Sequence, residues 1–390
     1  MSSSNGIFHR REYAQSIATQ LLHPTTFQLN VRSGVFLSGI RRIGKTTFLK
    51  QDLIPTLEAD GALVIYIDLW ADRSISPSVL VHDEVIRSLK QLNTAGASLL
   101  ERFKGMNLGA AGLSFGFQID SVGSPGGTTL AQAFIELIDK AGVSVVLIID
   151  EIQQALLNDD GYNLVHALKA ARDAVNSRPG TVGYFLFLGT GSHKSLVTDM
   201  STRRSQPFMG ALSTIYEPLG KDFVDWKLTQ LASTPRIILP SQEVAWTGFQ
   251  TMGNRPEELL KALAQLQSTK TNPDQAFPII CSTLALAAAD MELQRLEELG
   301  PLGEAIFSRI ALGSSEGVSG LYSGESLEIF SQIIRTAVDA PQVQNLTEKM
   351  ITANLIIRSG HGVYVVADRF VKEVWLSRKS LGENLIDLQP

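Results

Sequence analysis

The sequence is poor in cysteine, in histidine and in long apolar runs. Its 390 residues include one cysteine, Cys281, which excludes an intramolecular disulfide and a zinc site made of several cysteines. The six histidines are scattered without metal-ligand spacing, and no nucleophile, base and acid can be recognised as a set. The amino terminus lacks a basic segment followed by an apolar one, and no apolar run approaches the roughly 20 residues of a membrane helix. We therefore expect a soluble cytoplasmic protein.

The chain also lacks an excess of basic residues. Its formal net charge of −5 and isoelectric point near 5.8 argue against a protein that coats nucleic acid, although a local basic patch is compatible with both values. A composition of 44% hydrophobic and 19% charged residues is typical of a globular protein with a substantial core. The length predicts two or three domains.

What the sequence does contain is a glycine-rich segment directly behind an apolar run. This segment has the G-x-x-x-x-G-K-[ST] pattern, in which Gly39 and Gly44 let backbone N–H groups turn toward phosphates. Lys45 would reach the β and γ oxygens, the Thr46 hydroxyl is a ligand for Mg²⁺, and the helix that begins at Lys45 adds its positive dipole end. The alternative is an ordinary glycine turn. The predicted phosphate-binding residues are Gly39, Ile40, Arg41, Arg42, Ile43, Gly44, Lys45, Thr46 and Thr47.

The first half of the chain alternates between strand and helix patterns. Near-continuous apolar runs, as in strands buried on both faces, cover 34–38, 62–69, 143–149 and 183–188. Apolar residues at three- and four-residue spacing cover 45–59, 77–92, 130–141 and 163–176. This alternation predicts an α/β fold with a parallel sheet and helices on both faces, which is the setting that a phosphate loop requires.

An acidic pair ends the third apolar run. Hydrolysis of a bound triphosphate needs a carboxylate that orients magnesium and a group that aligns the attacking water. Asp150 is the candidate for the first role and Glu151 for the second. Alone, such a pair could equally be a solvated turn. Because it follows a phosphate loop by about a hundred residues, it predicts the second half of an ATPase site.

Three other polar segments are candidates for the same site. Thr190 and Ser192 follow the next strand, where a hydroxyl can sense the γ-phosphate, although a glycine-rich turn explains them equally well. Arg203 and Arg204 lie in a polar loop, from which a guanidinium can reach a phosphate of its own or of a neighbouring subunit, unless both are simply solvated. Arg255 precedes a helix farther along and is a candidate for a charge that swings toward bound nucleotide.

Residues 94–129 differ from their surroundings in being rich in glycine. They hold one short alternating segment, Leu113-Ser-Phe-Gly-Phe-Gln-Ile119, which predicts a β-hairpin arm. The apolar side of this arm either packs on its own domain or makes an assembly contact, since exposed strand edges invite pairing.

The second half of the chain has mainly helical patterning. From 221 to 300 this patterning is divided by prolines. After Pro301 come helix candidates at 303–310, 323–337 and 342–353, and then strand candidates at 355–358 and 362–366. That order predicts a winged helix. A last segment, 368–375, is expected to pack Phe370, Val371 and Val374 against it.

These motifs and their order resemble the archaeal-type P-loop ATPases of the signal-transduction (STAND) group, close to the origin-recognition branch of the AAA+ superfamily. The phosphate loop 39–47 resembles that family's arginine-bearing loop, and Ile148-Ile-Asp-Glu-Ile-Gln153 resembles its acidic motif. Gly189-Thr-Gly-Ser192 is similar to a first sensor. Gly253-Asn-Arg-Pro256 is similar to a second sensor, although many relatives place the arginine after the proline.

The resemblance covers nearly the whole chain and implies three parts: an ATPase core over 1–220, a helical lid over 221–299, and a winged helix with a tail over 300–390. It also implies that Phe8 and Arg11, in the amino-terminal element, lie near the adenine. The expected ligands are ATP and Mg²⁺. The candidate catalytic residues are Lys45, Glu151, Arg203 and Arg204, and the candidate metal ligands are Thr46 and Asp150.

Three functions stay open on the sequence alone. The first is an ATP-hydrolysing switch or assembly platform that couples nucleotide state to a partner protein or to self-assembly. The second is a DNA-loading ATPase that grips DNA with the winged helix. Residues 301–390 contain 8 Lys and Arg against 10 Asp and Glu, a balance of −2, so phosphate attraction is weak and protein contact is favoured. The third is a low-turnover nucleotide-binding regulator. No membrane partner is expected.

Overall fold

The computed structural model describes residues 6–72, 74–93, 114–192, 197, 200–201, 206–314, 316–360 and 362–383. The chain separates into two units, Met1–Glu217 and Pro218–Pro390. The predicted boundary between lid and winged helix, at 299/300, lies inside the second unit. The division into three domains stays a prediction.

The first unit is built on a parallel sheet of five strands in the order β2-β3-β4-β1-β5. The strands are β1 (Val35–Ser38), β2 (Leu63–Asp68), β3 (Val145–Asp150), β4 (Phe185–Gly191) and β5 (Leu212–Ile215). Because β4 lies between β1 and β3, the carboxyl ends of these three strands meet at one edge of the sheet. In open α/β sheets, that edge is where ligands bind.

Helices cover both faces of this sheet, which confirms the predicted α/β class. They are α1 (Arg11–Leu22), α2 (Lys45–Phe48), α3 (Ile54–Ala59), α4 (Pro77–Asn93), α5 (Leu130–Ala141) and α6 (Asp159–Asn176). Alternate residues of β3 enter two different hydrophobic clusters: Val145, Leu147 and Ile149 enter one, and Val146 and Ile148 the other. Since successive side chains of a strand point to opposite faces, a strand with core on both sides needs an unbroken apolar run.

The predicted helix over 45–59 is present behind the phosphate loop, but it is not α-helical throughout. A π-helical segment, Leu49–Leu53, joins α2 to α3. Such segments are rare and are often found at functional sites. This one carries Asp52, whose carboxylate is buried.

Two parts of the first unit differ from the sequence-based expectations. Strand β5 was not predicted, because its four residues are only partly buried at the sheet edge and form no continuous apolar run. The predicted hairpin arm is wrong for the part of 113–119 that the structure describes. Residues 114–118 form no strand there, and Ile119–Ser121 is a short 3-10 helix. Phe115, Phe117 and Ile119 pack against the core of their own unit.

The second unit begins with four helices, α7 (Lys221–Ala232), α8 (Gln242–Thr251), α9 (Pro256–Leu266) and α10 (Pro273–Glu297). By length and composition α10 could cross a membrane, the one helix in the described part of the chain for which this holds. This differs from the expectation that no apolar segment reaches the length of a membrane helix. One face of α10, which includes Phe277, Cys281 and Leu293, is buried within the unit.

The rest of the second unit is a winged helix, as predicted. Its helices are α11 (Gly300–Leu312), α12 (Gly324–Ile334) and α13 (Ala340–Thr352), followed by the antiparallel hairpin β6 (Ile356–Gly360) and β7 (Val363–Val366). Val318 adds a bridge to Tyr364 at the side of the hairpin. The last helix, α14 (Arg369–Glu383), buries Val371, Val374 and Trp375, while Phe370 is half-buried.

Candidate active site

The phosphate loop connects the end of β1 to the start of α2. Its curl is produced by two residues with left-handed backbone, Arg42 at φ 65° and Gly44 at φ 91°. A Cβ atom on Gly39 would lie 3.0 Å from Ile43 and 3.2 Å from Tyr216, so the loop fits tightly only with glycine there. The Gly39 N–H also donates to the Gly191 carbonyl at 3.1 Å, which ties the loop to the end of β4.

Lys45 is folded under this loop. Its Nζ donates to the carbonyl oxygens of Gly39 at 2.7 Å and Ile40 at 2.8 Å, and the residue is 5% exposed. Burial lowers the pKa of Lys45 below its ordinary value, and the charge of Arg41 lowers it further. The carboxylates of Glu151 and Asp150 oppose this shift. The ammonium group is thus held close to both members of the acidic pair.

Asp150 is the centre of a polar cluster at the end of β3. It is 1% exposed and accepts hydrogen bonds from Thr46 Oγ1 at 2.6 Å and Tyr66 OH at 3.2 Å. The Thr190 hydroxyl donates to its other carboxylate oxygen. Burial, and then the charge of Asp150, raise the pKa of Tyr66 far above that of a free phenol, so Tyr66 stays a donor. The phosphate loop, β2 and β4 therefore each contribute a hydroxyl to one carboxylate.

The same cluster suits a hydrated magnesium ion. The Thr46 hydroxyl and the Asp150 carboxylate are hard oxygen ligands and lie side by side. Within the described ranges, no three His, Cys, Asp or Glu residues are grouped so that they could hold a metal by themselves. Mg²⁺ does not need such a cage, because it usually takes one or two protein oxygens together with water and substrate phosphates.

Glu151 turns back toward the sheet through a left-handed backbone, with φ 56°. Its Oε2 accepts hydrogen bonds from Ser192 Oγ at 2.8 Å and from the Ser192 N–H at 3.3 Å. The side-chain amide of Gln153 donates to the same oxygen. A Cβ atom on Gly191 would lie 2.2 Å from Gln153 Oε1, so the glycine makes room for this amide. The predicted water-aligning group and a predicted sensor are thus in direct contact.

Arg41 connects the phosphate loop to this second cluster. Its Nε donates to Ser192 Oγ at 3.2 Å, and its guanidinium carbon lies 4.5 Å from the centre of the Trp70 ring. Trp70, Tyr66 and Gln153 were not predicted to take part in the site. The one hydroxyl within the mostly apolar run of β2 was a signal for Tyr66, and the glutamine in the acidic motif was one for Gln153.

The amino-terminal element lies beside the helix that follows the phosphate loop. His9 Nδ1 is 2.7 Å from Asp52 Oδ1, and the Arg10 N–H donates to Asp52 Oδ2 at 3.1 Å. The Arg10 guanidinium lies 4.4 Å from the Tyr13 ring centre and 5.1 Å from that of Tyr216. The π-helical segment that contains Asp52 is therefore the attachment point of this element.

The two residues predicted to lie near the adenine occupy different positions in that element. Phe8 is partly buried, whereas Arg11 is the first residue of α1 and is exposed. Arg10, and not Arg11, lies over the aromatic rings. The adenine role of Phe8 and Arg11 stays a prediction.

Three candidate arginines remain. Arg203 and Arg204 are outside the described residues. Arg255 precedes α9 in the second unit, where its guanidinium forms an ion pair with Asp368 at 2.6 Å. Both of these side chains are about four-fifths buried. The role of Arg255 at a nucleotide also stays a prediction.

These elements form a parallel α/β core with a phosphate loop, followed along the chain by a helical segment and a winged helix. The chain is similar to two structures of the ORC2 protein of Aeropyrum pernix. The ADP form is 13% identical with a TM-score of 0.55, and covers 99% of this chain and 97% of its own. The structure of ADPNP-ADP complexes is 14% identical with a TM-score of 0.52, and covers 96% of each chain.

A third solved structure, that of the A. pernix ORC1 protein in complex with DNA, is 15% identical and covers 98% of this chain and 95% of its own. Its TM-score of 0.42 supports no inference. No protein-family model and no curated protein matches the sequence. The likeness to origin-recognition proteins is therefore a likeness of fold.

Proposed function

We propose that this protein binds ATP with Mg²⁺ and hydrolyses it, and that the nucleotide state controls a protein partner or self-assembly. The observation that carries this proposal is the contact between Thr46 Oγ1 and Asp150 Oδ2 at 2.6 Å, beside Lys45 and the adjacent Glu151. The four side chains come from the two segments that the sequence motifs predict, which are 104 positions apart at Thr46 and Asp150. They are the parts that phosphoryl transfer to water requires.

In this proposal the triphosphate lies in the loop between Gly39 and Thr47. Backbone N–H groups and the amino end of α2 bind the phosphate oxygens, and Lys45 exchanges its two carbonyl contacts for the β and γ oxygens. Thr46 and Asp150 would hold Mg²⁺, which would neutralise negative charge on the triphosphate. The hydroxyls of the partly buried Tyr66 and the fully buried Thr190 keep the Asp150 carboxylate in position.

The chemical step is attack of a water molecule on the γ-phosphorus. A bond forms between the water oxygen and phosphorus, and the bond from phosphorus to the β–γ bridging oxygen breaks. Glu151 accepts the proton that the water loses, so the products are ADP and inorganic phosphate. Arg203 or Arg204 would supply positive charge to the γ-phosphoryl group, from its own subunit or from a neighbour, and Arg255 would respond to bound nucleotide.

The similar solved structures support the nucleotide part of the proposal. The A. pernix ORC2 structures that share this fold are an ADP form and ADPNP-ADP complexes. A fold of this type therefore holds adenine nucleotides in at least one other protein. We infer the same ligand class for this chain because its own phosphate loop and acidic pair are assembled at the edge of the sheet where ligands bind.

Calorimetric titration with ATP and Mg²⁺ tests the proposal, with wild-type protein beside Lys45→Ala. We expect heat of binding from the wild type and a loss of at least about tenfold in affinity in the variant, because alanine removes the ammonium group that would reach the β and γ oxygens. Lys349→Ala, on the surface of α13, is the matched control and should bind like the wild type. Absence of ATP binding by the wild type would refute the proposal.

Binding to duplex DNA is the second candidate function. Helix α13 of the winged helix exposes amide side chains of the kind that read base edges, Gln342, Gln344 and Asn345. The charges near these amides do not favour DNA binding. Glu348 lies on the same helix and forms an ion pair with Arg358 of β6, so it adds negative charge and engages a nearby positive one. Salt-dependent DNA binding that disappears when Gln344 and Asn345 are replaced by alanine would favour this function over a protein contact.

A further inference from the structure

Arg41 is held by two contacts that lie outside its own loop. Its guanidinium lies over the indole of Trp70, which follows β2, and its Nε donates to Ser192, which follows β4. A cation over an indole face is attracted by the quadrupole of the ring, and the hydrogen bond adds a fixed direction. The side chain of a phosphate-loop residue is therefore directed to the ends of two other strands.

Ser192 connects Arg41 to Glu151. A hydroxyl has one proton to donate, and that of Ser192 goes to Glu151 Oε2 at 2.8 Å. The same oxygen of Ser192 accepts from Arg41 Nε at 3.2 Å and from Gln153 Nε2 at 3.3 Å. Arg41 and Gln153, which donate to the Ser192 oxygen, thus determine that its proton points to Glu151.

Glu151 is engaged in this arrangement by more than one donor. Its Oε2 accepts from Ser192 Oγ, from the Ser192 N–H and from Gln153. These three donors occupy one carboxylate oxygen and fix the orientation of the carboxylate, so the direction in which Glu151 faces a water molecule depends on them. Gln153 is 1% exposed, and its Nε2 donates to both Glu151 and Ser192, whereas its Oε1 has no hydrogen-bond partner within the described part of the chain.

We infer that Arg41 detects the terminal phosphate of ATP and transmits its presence to Glu151 through Ser192. This inference rests on the proposed function. A γ-phosphate bound in the loop presents charged oxygens to the Arg41 guanidinium. These oxygens bind a guanidinium more strongly than a hydroxyl and an indole face do. Arg41 then leaves Trp70 and Ser192, and Ser192 can exchange its bond to Glu151. ADP lacks the γ-phosphate and leaves the contacts in place.

The emission of Trp70 reports this movement directly. The other three tryptophans, Trp226, Trp246 and Trp375, all belong to the second unit, so Trp70→Phe isolates the signal by difference. The full-length protein is titrated with ADP and with ADPNP, each with Mg²⁺. We expect ADPNP to change the intensity or wavelength of Trp70 emission, because the indole loses its cation, and ADP to leave it unchanged.

Substitution of Arg41 separates a positioning role from a structural one. Arg41→Gln should abolish the difference in Trp70 emission between ADPNP and ADP, because the guanidinium is absent, and should weaken binding of ADPNP more than that of ADP, because the contact with the γ-phosphate is lost. Arg41→Lys keeps the charge without Nε and should restore part of the emission difference. Arg87→Gln, on the exposed face of α4, removes the same charge outside the site and should keep the emission difference.

The outcomes distinguish this inference from the proposed function. If calorimetry detects neither nucleotide, the proposed function itself fails. If both nucleotides bind and ATP is hydrolysed, but the two give the same Trp70 emission, then the inference is wrong and the proposed function stands. Persistence of the emission difference in Arg41→Gln would overturn it equally.

Discussion

The phosphate-loop site and the winged helix use buried polar side chains in opposite ways. At the site, buried groups bond to residues far along the chain: Thr190 and Thr46 both donate to Asp150, over 40 and 104 positions. In the winged helix, Thr347 donates to the carbonyl of Val343 one turn earlier, and Ser326 to that of Gly320. The first pattern requires the folded sheet, whereas the second satisfies local backbone.

This difference indicates where chemistry is to be expected. A buried carboxylate is costly unless it is hydrogen-bonded, and a cluster of long-range donors around one carboxylate is therefore sensitive to the loss of any member. A hydroxyl that donates to a carbonyl of its own helix adds little stability, so its removal should change the free energy of unfolding only slightly. Equal substitutions in the two regions should thus have unequal effects.

The largest difference is expected for a change from Glu to Gln. Glu151→Gln keeps the size of the side chain but removes the proton acceptor, so turnover of ATP should fall by about 100-fold or more with ATP affinity retained. Glu325→Gln, exposed on α12 of the winged helix, should leave turnover unchanged. A phosphate-release assay measures both. Equal turnover in Glu151→Gln and the parent would show that Glu151 is not the base and would remove the contrast between the regions.

A smaller difference is expected for a change from Thr to Val at two fully buried positions. Thr190→Val deletes a donor to Asp150, and loss of a residue that orients a metal ligand typically costs about 10- to 100-fold in activity or metal affinity. Thr347→Val deletes a bond to backbone in its own helix and a hydrogen bond with Tyr322, so it should cost about 1–2 kcal/mol of stability and no turnover.

The paired threonine variants are compared by turnover as a function of Mg²⁺ concentration and by urea unfolding. Addition of more Mg²⁺ should partly restore Thr190→Val, because the carboxylate is displaced and not removed. If Thr347→Val lowers turnover as much as Thr190→Val does, buried polar contacts of the two regions are equivalent and the comparison fails.

The fold was predictable from the sequence where the signal is local. The buried strand β3 has core on both faces, so each of its residues is apolar until Asp150, and the order of elements in the winged helix follows from helical spacing and a glycine turn. Strand β5 was missed because its pairing with β1, and not its own composition, makes it a strand. The hairpin arm failed because Phe115 and Phe117 pack into the core.

The site was predictable in its two motifs and in the hydroxyls of Thr190 and Ser192. The contacts of Tyr66 with Asp150 and of Arg41 with Ser192 span 84 and 151 positions, and no local pattern encodes such pairings. They depend on the strand order, which places β4 between β1 and β3. The orientation of Arg10 toward the aromatic rings likewise depends on where the chain meets Asp52.

The smallest effect on stability is expected at Asp368. Substitutions there test whether a long-range ion pair, and not only local bonds, stabilises the winged-helix region. Asp368 accepts the Phe370 N–H at 2.9 Å at the start of α14 and pairs with Arg255. Asp368→Asn keeps an acceptor for this N–H and loses the charge, so it should lower the free energy of unfolding by about 0.5–1 kcal/mol. Asp368→Ala loses both and should cost about 1 kcal/mol more. Urea unfolding measures each cost. Equal costs for the two variants would mean that the ion pair, and not the cap, holds α14. A cost of several kcal/mol in Asp368→Asn would show that this region too depends on a buried charge with a distant partner, and would weaken the contrast with Asp150.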